Sequence, residues 1–163
     1  MPTAATLLSY EEWLELPEND EAREECVNGV IEKMPPAGFD HAWIVKRLTR
    51  QLERQFDETE IFVADSVFIL AAMVRRDGYI HSAPELAIEV LSPSNSPRRV
   101  RELLADYASI GLPEVWVIDP DRRTIALHFL ENGAYRSTGL PHDGVTNPVR
   151  FPSVTVDFST IWP

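Results

Sequence analysis

A mixed α/β domain is predicted by three features of the sequence. Leu86-Ala87-Ile88-Glu89-Val90-Leu91 is almost continuously apolar, as in a strand buried on both faces. Val115-Trp116-Val117-Ile118 is a second such run. Between them, Arg98 to Ile110 reads as a helix stopped by Gly111 and Pro113. Strand, crossover helix, strand is the βαβ unit, so the two strands are expected to be parallel and adjacent.

The remaining elements follow in chain order. Ser9-Tyr10-Glu11-Glu12 has the spacing of a capping box and predicts a short helix from Ser9, ended by Pro17, Asn19 and Asp20. Glu24 to Ile31 carries an Asn28-Gly29 pair, which tolerates the positive φ of a two-residue hairpin turn. Asp40 is placed to cap a helix over His41 to Phe56, where Ile44, Leu48 and Leu52 recur every four residues toward a core. Arg47, Arg50 and Arg54 form a neighbouring basic stripe, the pattern of a solvated face. Ile61 to Leu70 reads as one strand and Met73 to Ile80 as another. Ser92 to Pro97 is a loop. Thr124 to Leu130 and Ala134 to Thr138 read as a hairpin about Asn132-Gly133, and strand signals near Val154 close the chain.

Composition bounds the function. A length of 163 residues favours one domain, 1–163. One cysteine, Cys26, excludes an internal disulfide and suits a reducing compartment. The N-terminus lacks a secretory pattern, and the longest apolar run, Val67 to Val74, is too short to span a bilayer. A cytoplasmic protein without a membrane partner is the expectation. The net charge of −11 opposes non-specific binding to nucleic acid, so any such binding requires a local basic patch or metal ions.

Glu89 carries the chemistry. A carboxylate in the middle of an apolar strand costs several kcal/mol unless an arginine, a proton or a metal offsets it. A buried Glu–Arg pair in a purely structural domain would serve. A second carboxylate on an adjacent strand would instead make a Mg²⁺ site, which keeps waters and recruits phosphate oxygens.

Ala83-Pro84-Glu85-Leu86-Ala87-Ile88-Glu89-Val90-Leu91-Ser92-Pro93-Ser94-Asn95 resembles the central signature of the Uma-two family of restriction endonucleases, a branch of the PD-(D/E)XK nuclease superfamily. Tyr107-Ala108-Ser109-Ile110-Gly111-Leu112-Pro113-Glu114-Val115-Trp116-Val117-Ile118-Asp119-Pro120 is similar to the family's next block. Ser9 to Trp13, the Glu25 to Ile31 hairpin and His41 follow the family order upstream. The resemblance implies a restriction-endonuclease-like mixed sheet flanked by helices. It also implies hydrolysis of phosphodiester bonds in nucleic acid, DNA in the first instance, with Mg²⁺ or Mn²⁺ and a homodimeric assembly.

The resemblance puts Glu89 at the signature Glu and Glu25 at a supporting acidic position. The family Asp has two candidates: Asp65, favoured by the spelling of Ala64 to Ile69, and Asp77, favoured by counting strands. The family Lys has none. Its two positions hold Leu91 and Leu103. Arg99, one turn before Leu103, could bind a scissile phosphate bidentately, but it does not deprotonate near neutral pH and cannot be a general base. Asp65 or Asp77 with Glu89 would bind the metal, and Arg99 would supply part of the lysine's electrostatics. The missing lysine favours a second reading, a non-catalytic nuclease fold that binds nucleic acid or protein.

Overall fold

The computed structural model describes residues 7–9, 12–13, 15–16, 24–27, 29–33, 38–56, 60–63, 66–69, 75–76, 79–80, 84–93 and 95–163. The chain divides into two compact units, Met1–Pro36 and Ala37–Pro163.

In the first unit the capping box forms as its spacing predicts. The Ser9 amide donates to Glu12 Oε2 at 2.8 Å, and the Glu12 amide donates to Ser9 Oγ at 3.2 Å, so two orphan helix-start donors are satisfied reciprocally. The hairpin pairs β1 (Glu24–Val27) with β2 (Val30–Lys33) antiparallel. Gly29 is required twice over. Its φ is +78°, and a Cβ there would lie 2.8 Å from the Leu8 carbonyl oxygen.

The second unit opens with α1 (Phe39–Leu52). Its N-cap is Gly38 without a side-chain cap, and Asp40 sits in the first turn. Asp40 therefore complements the helix dipole and does not cap the helix as its sequence position suggests. Ile44, Leu48 and Leu52 are fully buried, each contributing about 1.5–3 kcal/mol by leaving water.

Strands β3 (Ile61–Val63) and β4 (Val67–Ile69) follow, then β5 (Arg75–Arg76), β6 (Tyr79–Ile80) and β7 (Leu86–Val90). After α2 (Pro97–Ser109) come β8 (Glu114–Asp119), β9 (Thr124–Glu131), β10 (Ala134–Leu140), β11 (Val145–Thr146) and β12 (Val156–Asp157). The main sheet has the order β10-β9-β8-β7-β4-β3. Strands β7 and β8 are parallel, and every other pair in it is antiparallel. The expected parallel pair is therefore present.

Two strand expectations are corrected. Within Ile61 to Leu70, β3 and β4 are two strands paired antiparallel with each other, Val63 opposite Val67. Small and polar residues interrupt the β-branched run there and have low strand preference. Within Met73 to Ile80, the described strands are not part of the main sheet. β5 and β6 pair only with each other, Arg76 opposite Tyr79. The two residues between them in sequence, Asp77 and Gly78, are a pair that favours tight hairpin connections.

The sheet separates two apolar layers. Leu86, Ile88, Val90, Trp116, Ile118, Ile125 and Leu127 face α1 and the C-terminal Val154, Val156, Phe158 and Ile161. Ala87, Val115 and Val117 face the other way, with Leu112 and the α2 residues Val100, Leu104 and Tyr107. Alternation along each strand produces this division.

Helix α1 and the turn that follows it also bind the C-terminal segment through side-chain amides. Gln51 donates to the Asp157 carbonyl and accepts from the Asp157 amide, both at 2.9 Å. Gln55 makes the same exchange with Thr155, both bonds at 2.8 Å. The two glutamines are one turn apart and the two backbone residues alternate, so the helix meets an extended strand as a second strand would. Among the described residues no helix is long and apolar enough to cross a membrane.

Candidate functional site

Strand β7 places Glu89 on the α2 side of the sheet, between inward-facing Ile88 and Val90. Glu89 pairs with Val117 of β8. On the other side, the antiparallel register runs Val67 to Ile88 and Phe68 to Ala87. One step further puts Ser66, which is buried, opposite Glu89. The Ser66 hydroxyl donates to Glu89 Oε2, and the Tyr107 phenol donates to Oε1. Three elements thus converge on one carboxylate.

Tyr107 is fixed by the way α2 ends. The Gly111 amide bonds the Ala108 carbonyl at 3.1 Å, and the Leu112 amide bonds the Tyr107 carbonyl at 3.0 Å. With Gly111 at φ +75°, this is a Schellman stop, and Leu112 is its buried apolar anchor. The other end of α2 is set by the Ser96 hydroxyl, which accepts from the Arg99 amide, and by Pro97 in the first turn.

The two hydroxyls supply part of the offset that a carboxylate in an apolar strand requires. Hydrogen bonds to a carboxylate are charge-assisted and stronger than neutral ones. They fix the plane of the group; a carboxylate oxygen in general accepts from more than one partner. That donor set suits a hard cation such as Mg²⁺, which takes one or two carboxylates and fills its shell with water and phosphate oxygens. Among the described residues no group of three or more His, Cys, Asp or Glu gathers to hold a metal.

The other predicted residues fall as follows. Asp65 and Asp77 both lie outside the described residues. The argument from strand counting for Asp77 is lost, because β5 and β6 stand apart from the main sheet. Asp65 directly precedes Ser66 in the chain. Glu25 pairs with Glu32 in the hairpin of the first unit. Arg99 and Leu103 are half-buried on the turns of α2 that precede Tyr107. Arg99 is two turns away from Tyr107, about 12 Å along the helix axis. Leu103 is one turn away.

Ser66 and Tyr107 were not singled out from the sequence. The signal for Ser66 was its place directly before the apolar Val67-Phe68-Ile69, a polar interruption in an apolar run. Tyr107 served only as a landmark for the lysine position. Glu114 is a further buried carboxylate, on the α1 side. It accepts from Trp116 Nε1 at 2.7 Å and from the Val149 amide at 2.8 Å. Burial pushes its carboxyl up from the ordinary value, and these two bonds oppose the shift. Both its oxygens serve structure.

A cleft of about 440 Å³ opens at the carboxyl ends of β7 and β8, lined by Leu91, Ser92, Asn95, Val100, Asp119 and Arg122 among others. Leu91 is two residues beyond Glu89, so both project from the same face of the strand. Asn95 Oδ1 accepts from the Ser92 amide at 2.7 Å and the Ser92 hydroxyl at 2.9 Å, which shapes the loop between strand and helix. Crevices outside the carboxyl ends of parallel strands are where open α/β sheets bind ligands.

A mixed sheet with a parallel central pair, a crossover helix between its two strands and a carboxylate on the first strand of that pair defines a restriction-endonuclease-like α/β protein. The sequence matches the Uma2 family, described as "Putative restriction endonuclease", over residues 10–159. The chain belongs to this family. Its fold is similar to that of a crystal structure described as a putative nuclease from Anabaena variabilis, with a TM-score of 0.74 at 21% identity. The alignment covers 94% of this chain and 97% of that one. No curated protein matches the sequence.

Proposed function

We propose that the chain is a divalent-metal-dependent endonuclease domain that hydrolyses phosphodiester bonds in DNA. The observation that carries this reading is the carboxylate of Glu89, held by Ser66 and Tyr107 on the first strand of the parallel pair, in a chain of this family. Glu89 is one metal ligand. Asp65 is the second, supported by the family-like spelling of Ala64 to Ile69; Asp77 is the alternative. Mg²⁺ or Mn²⁺ bound there would supply an activated water and neutralise charge on the phosphate.

The chain's own groups have separate tasks in this reading. Ser66 and Tyr107 hold the Glu89 carboxylate in one plane, as outer partners of metal ligands do. Arg99, at the start of α2, contributes a permanent positive charge toward a phosphate but no base. Leu103 stands where the family resemblance calls for lysine, so neither proton transfer nor charge stabilisation comes from that position. One lost electrostatic donor typically lowers the rate by about 10²–10³, and slow cleavage is expected.

Leu103 also favours a second reading, a nuclease fold that binds nucleic acid or protein without cleaving. Plasmid nicking by the wild-type chain in Mn²⁺, against a Glu89→Gln control, separates the two. Slow nicking that the control lacks supports the enzyme. Equal, background-level conversion in both supports the binding module.

A further inference from the structure

We propose that the outer face of α1 is a docking surface for single-stranded nucleic acid. This rests on the reading of the chain as one that acts on nucleic acid, and it concerns a surface apart from Glu89. At about 100° per residue, Phe39, Trp43, Lys46, Arg47 and Arg50 share an arc of roughly 100°. The buried residues His41, Ile44, Leu48 and Leu52 lie on the opposite side of the helix.

The stripe is built as a stack. The rings of Phe39 and Trp43 lie 5.7 Å apart at 29°. The guanidinium of Arg47 sits 4.7 Å above the Trp43 ring. Three planar groups therefore follow one another up the helix at intervals of one turn. Phe39 ends the series and, at 71%, is the most exposed large apolar side chain among the described residues. Lys46, Arg47 and Arg50 are exposed beside it.

Charge decides the partner. The whole chain carries −11, yet this arc contains three cations and no carboxylate. A polyanion fits it, and an acidic surface elsewhere disfavours indiscriminate binding. The aromatic end decides the form of the polyanion. A base in a duplex has its faces covered by its neighbours, whereas an unpaired base can add to the open face of Phe39. A basic track with a stacking platform is how single strands are held.

The test is binding of a fluorescent oligothymidylate, and of a duplex of equal length, in EDTA across a salt series. The wild type should prefer the single strand. Phe39→Ala should weaken single-strand binding at least about fivefold, from the lower end of base-stacking values, and leave the duplex little changed. The triple variant Lys46→Gln, Arg47→Gln, Arg50→Gln should flatten the slope of log K against log salt by about 2. These are surface changes, and circular dichroism checks that each variant is folded. No binding by wild type, equal binding by Phe39→Ala, or an unchanged slope in the triple variant would each overturn the surface. A dimer that Phe39→Ala dissociates, with oligonucleotide binding intact, would also overturn it and assign the stripe to self-association. Because EDTA removes metal, these outcomes are independent of nicking in Mn²⁺, which tests the Glu89 site.

Discussion

The phenol of Tyr107, on the last turn of α2, donates its hydrogen bond to the carboxylate of Glu89 on the neighbouring strand. The bond spans 18 residues of chain and joins two parts of one βαβ unit, its first strand and the last turn of its crossover helix, where the Schellman stop aims the tyrosine. Removing an outer partner of a metal ligand typically costs 10–100-fold in affinity or activity. Tyr107→Phe keeps the ring and its packing, so Mn²⁺ affinity should fall about tenfold while the stability loss stays near about 1 kcal/mol. Metal titration and thermal unfolding of the same sample check both parts.

Leu103→Lys tests the account of the missing cation. A lysine one turn before Tyr107 would carry its ammonium toward the Glu89 carboxylate. Plasmid nicking should rise by about 10²-fold, the scale of one restored electrostatic group. Adding Glu89→Ala should abolish the gain. A folded, metal-binding Leu103→Lys chain with no gain would show that this position alone does not explain the deficit.

Two buried groups give the stability a pH signature. Burial lowers the pKa of His128 below 6.5. The folded state therefore disfavours the imidazolium, and its contribution is fully present above 6.5 and is lost as pH falls toward the lower folded value. Glu114 has the opposite sign. Its carboxyl is raised above 4.5, so its contribution is greatest below that value and declines as pH rises through the folded one. Urea midpoints measured from about pH 7.5 to about pH 5.5 should drop, and His128→Gln should flatten the drop. A wild-type midpoint that climbs throughout this range would contradict the assignment.

Glu114→Ala should be among the most damaging single changes. It strands the buried donor Trp116 Nε1, at a cost of about 1–3 kcal/mol, and removes the acceptor of the part-buried Val149 amide. Loss of at least about 1–3 kcal/mol is expected in denaturant unfolding. The paired change Gln51→Ala, Gln55→Ala should act locally. Amide exchange at Thr155 and Asp157 should accelerate, because both amides lose their acceptors.

The parallel pair was readable because two apolar runs flank a helical stretch, and only a crossover joins them that way. The Asn132-Gly133 hairpin was readable from its turn pair; the structure gives both residues positive φ, 52° and 81°. Ile61 to Leu70 misled because β-branched and aromatic residues make up six of its ten. Propensity does not register where a chain reverses inside such a run. Met73 to Ile80 misled because the apolar residues at its two ends outweighed the Asp77-Gly78 turn pair between them, which also raised the weight given to Asp77. Within the site, Glu89 was legible because a carboxylate is costly in a buried strand. Ser66 and Tyr107 were not, since a hydroxyl is unremarkable at either position until the register and the helix stop bring it to the carboxylate.

The measurement closest to the central claim is a Mn²⁺ titration of wild type and Glu89→Gln, followed by water-proton relaxation. Glu89→Gln keeps the size of the side chain but removes the negative charge that binds the metal. The account predicts a saturable site in the wild type and a loss of at least about tenfold in affinity in the variant. Equal affinity in the two chains, or no binding by a folded wild type, would contradict it.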